Sequence, residues 1–269
     1  MVCVALGSSV TRIGVLQDPL PRVHRLHCAG VRGYRDLSGR GGDHEKMRGK
    51  LMDPLVSCLC PTYNRLEFLP RMLRCFAEQT YENRELVVLD DGEDGTRKLF
   101  ESVTDPRIKY FYELPKKNHG EKMNRTCELA WGELMIVWDS DDWYAPHRIM
   151  SQVMPFGNPT IMLTGTSTLY YYKHGEQLAW QYSSPKGIGW LASIAFRKSI
   201  WAQHKFDNIM AGADYNLQKK LPAGAKADLA DPNLVVAAVH SSNACRKTLG
   251  HEYKPTPWTT IESIVKGNL

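Results

Sequence analysis

The pattern of apolar and polar positions divides the chain near residue 55. From there on, short apolar runs alternate with stretches of helical period. Leu55-Val-Ser-Cys-Leu-Cys60, closed by Pro61, has the length and content of a buried strand. Residues 65–79 then put Leu66, Leu69, Met72, Leu73, Phe76 and Ala77 on one helical face. Glu85-Leu-Val-Val-Leu-Asp90 predicts a second strand that ends in acids, followed by a loop marked by Gly92 and Gly95. Arg107-Ile-Lys-Tyr-Phe-Tyr112 predicts a third strand and residues 121–131 a helix. Leu134-Met-Ile-Val-Trp138 predicts a fourth strand that again runs into acids. A late strand, Leu234-Val-Val-Ala-Ala-Val239, ends at His240. Strands alternating with helices at these spacings predict an α/β fold with a mostly parallel sheet, right-handed crossovers and flanking helices. Ligands of such sheets bind at the carboxyl ends of the strands, where the polar residues here gather.

The first fifty residues lack that order. Gly/Arg-rich pieces such as Ser38-Gly-Arg-Gly-Gly interrupt them, and no period persists. Residues 1–50 hold nine Lys/Arg against four Asp/Glu, the whole excess of +5, while the remainder carries 25 of each sign. A flexible basic extension is expected there, with Met47 or Met52 as the functional start. Domain boundaries follow: the extension 1–50, one catalytic domain 51–245 and a C-terminal tail 246–269. The neutral body excludes a bulk basic field for duplex nucleic acid, although a local basic groove stays open. No apolar run approaches the ~18 residues of a membrane span, so a chain that does not cross a bilayer is expected. Seven scattered cysteines, odd in number and without Cys-x-x-Cys, argue against a disulfide framework or zinc knuckle and suit a reducing, cytoplasmic setting.

Three strand ends carry candidate chemistry: Pro61-Thr-Tyr-Asn-Arg65, Asp90-Asp-Gly92 and Asp139-Ser-Asp-Asp142. Carboxylates packed as closely as Asp139, Asp141 and Asp142 repel one another unless a cation or a substrate charge compensates them. Their oxygens suit a hard divalent ion, Mn²⁺ or Mg²⁺, with open positions for phosphate oxygens. The alternative is a solvated acidic turn capping a helix near Ala145-Pro146.

The series Cys60-Pro-Thr-Tyr-Asn-Arg65, Val88-Leu-Asp-Asp-Gly92, Gly120-Glu-Lys-Met-Asn124 and Val137-Trp-Asp-Ser-Asp-Asp-Trp143 resembles family 2 glycosyltransferases with the GT-A fold. It runs from about Leu55 to His240. The resemblance implies a metal-dependent, inverting transfer of sugar from a nucleotide-sugar, UDP-linked by preference, to an acceptor hydroxyl. Pro61, Thr62 and Tyr63, with Asn64 and Arg65 completing their loop, then meet the nucleotide, and Asp91 corresponds to the acid that hydrogen-bonds a uracil ring. Lys122 and Asn124 lie on the segment that approaches the sugar-phosphate, though their spacing from Gly120 is shorter than in many members. Asp141 corresponds to the direct metal ligand, with Asp139 and Asp142 supporting it and Ser140 between them on the donor. His240 stands where a late histidine joins the metal or the pyrophosphate, or it is simply a hydrogen-bonded surface residue.

On the acceptor side, the family's acidic pair falls at Met210-Ala-Gly-Ala-Asp214, with Ala213 in place of the first acid. Asp214 is therefore the candidate general base, with a helix N-cap as its alternative role. Arg246 and Lys247 are candidates for neutralising diphosphate. Tyr170, Tyr171 and Tyr172 alternate on a strand, with two rings expected inside and one outside. Trp180, Tyr182, Trp190 and Trp201 form either a stacking wall or ordinary core. Acceptors in such a family include polysaccharides, lipid-linked sugars, proteins and, in some phages, hydroxymethylated pyrimidines in DNA. A nucleotidyltransferase is disfavoured by the lack of a glycine-rich loop after the first strand, and a non-catalytic binding module by the intact acids.

Overall fold

The structure is a computed structural model that describes residues 53–184, 188, 193–243, 250, 252–267 and 269, all within the compact unit Arg48–Leu269. Readings made for residues 1–50, and for Trp190, Arg246 and Lys247, lie outside the described residues.

Four strands supply the framework: β1 (Val56–Thr62), β2 (Arg84–Asp90), β3 (Ile108–Tyr112) and β4 (Leu134–Val137). Three helices connect them, α1 (Leu69–Ala77), α2 (Thr96–Phe100) and α3 (His119–Leu129). Alternate residues of these strands feed two cores. Val56, Cys58 and Cys60 of β1 join Leu86, Val88, Leu134 and Ile136 on one face, while Leu59, Val87, Met135 and Val137 pack on the other. Burial on both faces is why β1, β2 and β4 read as continuous apolar runs rather than as alternation.

After β4 come β5 (Trp143–Tyr144), α4 (Arg148–Val153), β6 (Leu163–Gly165), β7 (Thr168–Lys173) and β8 (Ala179–Ser183). They are followed by β9 (Ala195–Arg197), α5 (Lys198–Gln203), α6 (Ala213–Lys219), β10 (Lys226–Asp228) and β11 (Val235–Val239). The described part ends with β12 (Tyr253–Thr256) and α7 (Trp258–Val265). Among the described residues the main sheet has the order β10-β6-β9-β4-β1-β2-β3. Its pairs are parallel except those made by β9, which runs antiparallel to both β4 and β6.

A second sheet, β12-β8-β7-β11-β5, packs into the core on the Cys58 side. The sequence marks Tyr170–Tyr172 and Val235–Val239 as strands but gives no sign that they share a sheet with the two-residue β5. Tyr171 and Tyr172 are buried and Tyr170 only partly so, matching the expected alternation. Trp180, Tyr182 and Trp201 are core residues rather than a stacking wall.

Two boundaries need correction. The first helix starts at Leu69, not near residue 65, because Pro70 suits the first turn and Leu66 faces solvent. The stretch 246–269 is no mere tail: β12 pairs with β8, and Ile261 and Val265 of α7 are buried in the core. Trp258, Ile261 and Val265 carry the helical period that binds it there.

Candidate active site

Chain order decides where the site falls. From β1 the chain proceeds to β2 and β3 on one side, whereas β4 lies on the other, so β1 and β4 flank a switch point of the parallel sheet. Crevices at such points, beyond the strand carboxyl ends, receive ligands. The register sets Thr62 beside Asp90, and the Trp138 amide donates to the Leu59 carbonyl at 2.8 Å. The loop after β1 and the acids after β4 therefore stand side by side, bridged by Thr62 Oγ1 donating to Ser140 Oγ at 3.3 Å.

The acid turn is bound from three directions. On α1, Arg71 donates to the Asp141 carbonyl and the Tyr172 hydroxyl, each at 2.5 Å. Asp142 is buried, and its Oδ1 accepts the Ala238 amide of β11 at 2.8 Å, so this carboxylate is committed to the second sheet. Asp139 is half-buried, and its carbonyl accepts the Tyr144 hydroxyl at 3.2 Å.

Asp141 Oδ2 is the point of convergence. His240 Nε2 lies 2.8 Å from it, Asn243 Nδ2 3.3 Å and Arg65 Nη2 3.7 Å. Arg65 also donates to Ser242 Oγ at 2.5 Å and to the Ser242 carbonyl, and its Nη1 lies 3.3 Å from His240 Nδ1. Phe68 stacks on the His240 ring, with centroids 4.6 Å apart. Burial pushes the Asp141 carboxyl up, but the His240 hydrogen bond and the Arg65 charge outweigh it and hold the group below the usual aspartate value. Among the described residues no three His, Cys, Asp or Glu side chains converge as a ready metal cage.

A buried ion pair forms the other wall. Lys122, on α3, contacts Asp91 Oδ1 and donates to the Thr62 carbonyl at 2.8 Å, while Asp91 Oδ2 accepts the Lys117 amide at 2.8 Å. Burial lowers the Lys122 ammonium even against the pull of Asp91. Tyr63 is exposed, with Lys116 Nζ 3.5 Å from its ring centroid. Asn64 adopts a left-handed φ of 51° and accepts the Glu93 amide at 2.8 Å. This closure needs Gly92, where a Cβ would stand 2.5 Å from Asn64 Oδ1. Pro61 is half-buried at the end of β1. Removing the partner of a buried charge costs about 3–5 kcal/mol. Lys122→Met is accordingly expected to lower stability by about that amount in urea titration, with much of it regained in the double variant carrying Asp91→Asn.

Asn124 and Asp214 belong to a third region. The Asn124 amide accepts from Trp201 Nε1 and the Phe206 amide, each at 2.9 Å, and donates to the Phe206 carbonyl at 2.8 Å. That places it as a strap between α3 and the segment before α6. Asp214 is buried in the first turn of α6, but the N-cap position falls on Gly212, so the capping role drawn for Asp214 does not apply. Asp207 binds Asn216 and Lys220 and thereby fastens its loop to α6. The same loop lies on α3, where the Gly120 amide donates to the Ile209 carbonyl at 3.0 Å. A Cβ on Gly120 would stand 1.8 Å from the Asp207 carbonyl oxygen. Gly120→Ala is expected to cost about 1–3 kcal/mol, the usual range for overpacking, despite alanine's better helix propensity. A falling thermal midpoint checks it.

The structure thus brings Thr62, Arg65, Ser140, Asp141 and His240 together, and next to them Asp91 with Lys122. Sequence reasoning missed Phe68, Arg71 and Asn243. Phe68, three residues beyond Arg65, and Asn243, three residues beyond a strand-end histidine, stood near residues already singled out.

A parallel sheet with one antiparallel member, a small second sheet and an acidic turn at the switch point make this a GT-A domain. The sequence profile of the family described as Glycosyl transferase family 2 matches residues 57–212, more than half of the chain. The chain belongs to that family. It is 32% identical over 100 residues to the putative colanic acid biosynthesis glycosyl transferase WcaA of Escherichia coli, covering 36% of each chain. It is 27% identical over 103 residues to the putative teichuronic acid biosynthesis glycosyltransferase TuaG of Bacillus subtilis, covering 37% of this chain and 41% of that one. The matched part is therefore well under half the length of these relatives. The fold is shared with the mannosyltransferase PcManGT of Pyrobaculum calidifontis, solved with GDP-Man and Mn²⁺, at a TM-score of 0.55 and 19% identity over 69% of this chain and 56% of that one. TarS 1-349 of S. aureus, solved with UDP-GlcNAc, gives 0.53 and 17% over 70% and 60%.

Proposed function

We propose that this chain transfers a sugar from a nucleotide-sugar, UDP-linked by preference, to a hydroxyl of a growing carbohydrate, with inversion at the anomeric carbon and with Mn²⁺ or Mg²⁺. The observation that carries the reading is the meeting of Arg65, Asp141 and His240 beside the buried Asp91–Lys122 pair at the switch point. Two structural neighbours captured with GDP-Man or UDP-GlcNAc support the donor class, and Mn²⁺ in one of them supports a divalent ion. The relatives named for colanic and teichuronic acid synthesis support a polysaccharide acceptor. No observation favours hydroxymethylated pyrimidine. Among the described residues no helix is long and apolar enough to cross a membrane.

Each residue has a task in this reading. Asp91 has lone pairs left beyond its two contacts and accepts the imide N–H of uracil. Tyr63 and Lys116 border the base. The mixed oxygen and nitrogen donors of Asp141 and His240, 2.8 Å apart, fit a Mn²⁺ or Mg²⁺ ion, with Asp139 close by in sequence. Such an ion supplies charge that stabilises the departing diphosphate. Asp214 takes the acceptor's proton as that oxygen bonds to the anomeric carbon; the bond to the diphosphate breaks on the opposite side, and its electron pair leaves with the nucleotide.

The test is a panel of UDP- and GDP-sugars incubated with the full chain and Mn²⁺, read by nucleoside diphosphate release with and without oligosaccharide acceptors. At least one donor is expected to be turned over. Neither binding nor turnover of any donor would overturn the reading.

A further inference from the structure

Among the described residues, one imidazole nitrogen that the reading above does not use is buried without a partner. His119 is the first residue of α3, and its Nε2 is buried without a hydrogen-bond partner. Native proteins seldom leave such an atom unpaired, because its lost hydration goes unrecovered. The backbone around it is fixed. Asn118 caps the helix by accepting the Glu121 amide at 2.9 Å, and Glu121 returns the bond to the Asn118 amide at 3.0 Å. Gly120 is pressed against Asp207, so the ring cannot escape by a shift of the helix start.

Its electrical surroundings are those of the same site. Burial and the Lys122 ammonium disfavour its charge, the Asp141 carboxylate favours it, and the balance draws the imidazole down to about 4. Along the chain His119 is flanked by Lys117, whose amide binds Asp91, by Lys122 of the same wall, and by Gly120, which meets the loop leading to Asp214. A neutral imidazole presents one donor and one acceptor nitrogen. A sugar hydroxyl matches it in either sense, whereas phosphate oxygens can only accept.

We propose that His119 Nε2 is a binding group of the donor pocket that hydrogen-bonds a hydroxyl of the transferred sugar. The proposal rests on the nucleotide-sugar reading. Between the nucleotide wall, the acid turn and the acceptor loop, the sugar is the part of the donor that meets this position.

Titration calorimetry in Mn²⁺ with UDP, UDP-glucose, UDP-GlcNAc, GDP and GDP-mannose tests it, on the wild type, His119→Phe and His119→Gln. The phenylalanine ring keeps the bulk and removes the polar atoms. For the nucleotide-sugar that the wild type binds, His119→Phe is expected to weaken affinity by about 5–20-fold, the worth of one hydrogen bond. Affinity for the matching bare nucleotide stays within about twofold of wild type, the scatter left when no contact is lost. The thermal midpoint does not fall, since no protein partner is removed, and His119→Gln regains part of the affinity. Equal weakening of sugar and bare nucleotide, or no weakening, overturns the assignment. So does a lowered midpoint in His119→Phe with His119→Gln showing the same loss on both ligands. If the wild type binds no nucleotide-sugar, the proposed function itself fails, an outcome distinct from a wild type that binds with an unaffected variant.

Discussion

Asp214→Asn is expected to slow sugar transfer by about 10²–10⁴-fold, the usual worth of a general base, while donor affinity stays near wild type. The side chain is buried in the first turn of α6, where the helix dipole favours a carboxylate. The substitution keeps shape and hydrogen-bonding oxygen but removes the basic site, so the loss falls on kcat and not on donor binding. Asp207 offers the control. It is an exposed carboxylate held low by its bonds to Asn216 and Lys220, and Asp207→Asn should change turnover only slightly. Turnover kinetics beside donor calorimetry, with product configuration by NMR, decide the matter. Wild-type turnover in Asp214→Asn, or a retained anomeric configuration, would remove Asp214 from the mechanism.

Asp141→Asn should have the second large effect. The carboxylate is where His240, Asn243 and Arg65 converge, and the variant removes its negative charge from that meeting point. A lost ligand charge opposite a diphosphate is worth several kcal/mol, so kcat/KM in saturating Mn²⁺ is expected to fall by about 10²-fold or more. The wild type in excess chelator should fall to a similar level and recover on adding Mn²⁺ or Mg²⁺. Arg65 and His240 also lose an anionic partner, which on its own lowers stability by about 1–3 kcal/mol. Denaturation in chelator isolates that part, because the protein-only contacts are then all that differ. Full activity in chelator would refute the metal role while leaving the Arg65–Asp141–His240 cluster as a structural anchor.

Three of the four strands before Trp138, β1, β2 and β4, were legible because both faces of each are buried, which leaves apolar runs bounded by Pro61, Gly92 and the acid turn. Strand β3, half-buried at the sheet edge, was legible from its β-branched and aromatic residues. Helix ends were less legible. Leu66 continues the apolar period of α1 yet lies outside the helix, where its amide donates to Asp94 at 2.8 Å. Residues 253–265 look like a tail next to so regular a domain, yet Ile261 and Val265 fill a gap that exists only once the second sheet has formed.

The sequence by itself determined the fold class and the set of polar residues at the strand ends, because periodicity and local spacing encode these directly, and the family through the resemblance of its motifs to known members. Tertiary structure alone decided how those residues divide their work. Asp141 and Asp142 are neighbours in the chain, but one meets His240 and Arg65 and the other secures Ala238 of β11, since successive side chains of the turn face different elements. Asn124 turns away to hold Trp201 and Phe206, while Lys122 on the same helix turns inward to Asp91. His119 carries no pattern that sets it apart from any other helix-start residue. Only the packing of α3 against the strand ends and the Asp207 loop buries its Nε2 without a partner, because burial and hydrogen-bond pairing arise from contacts between residues distant in sequence.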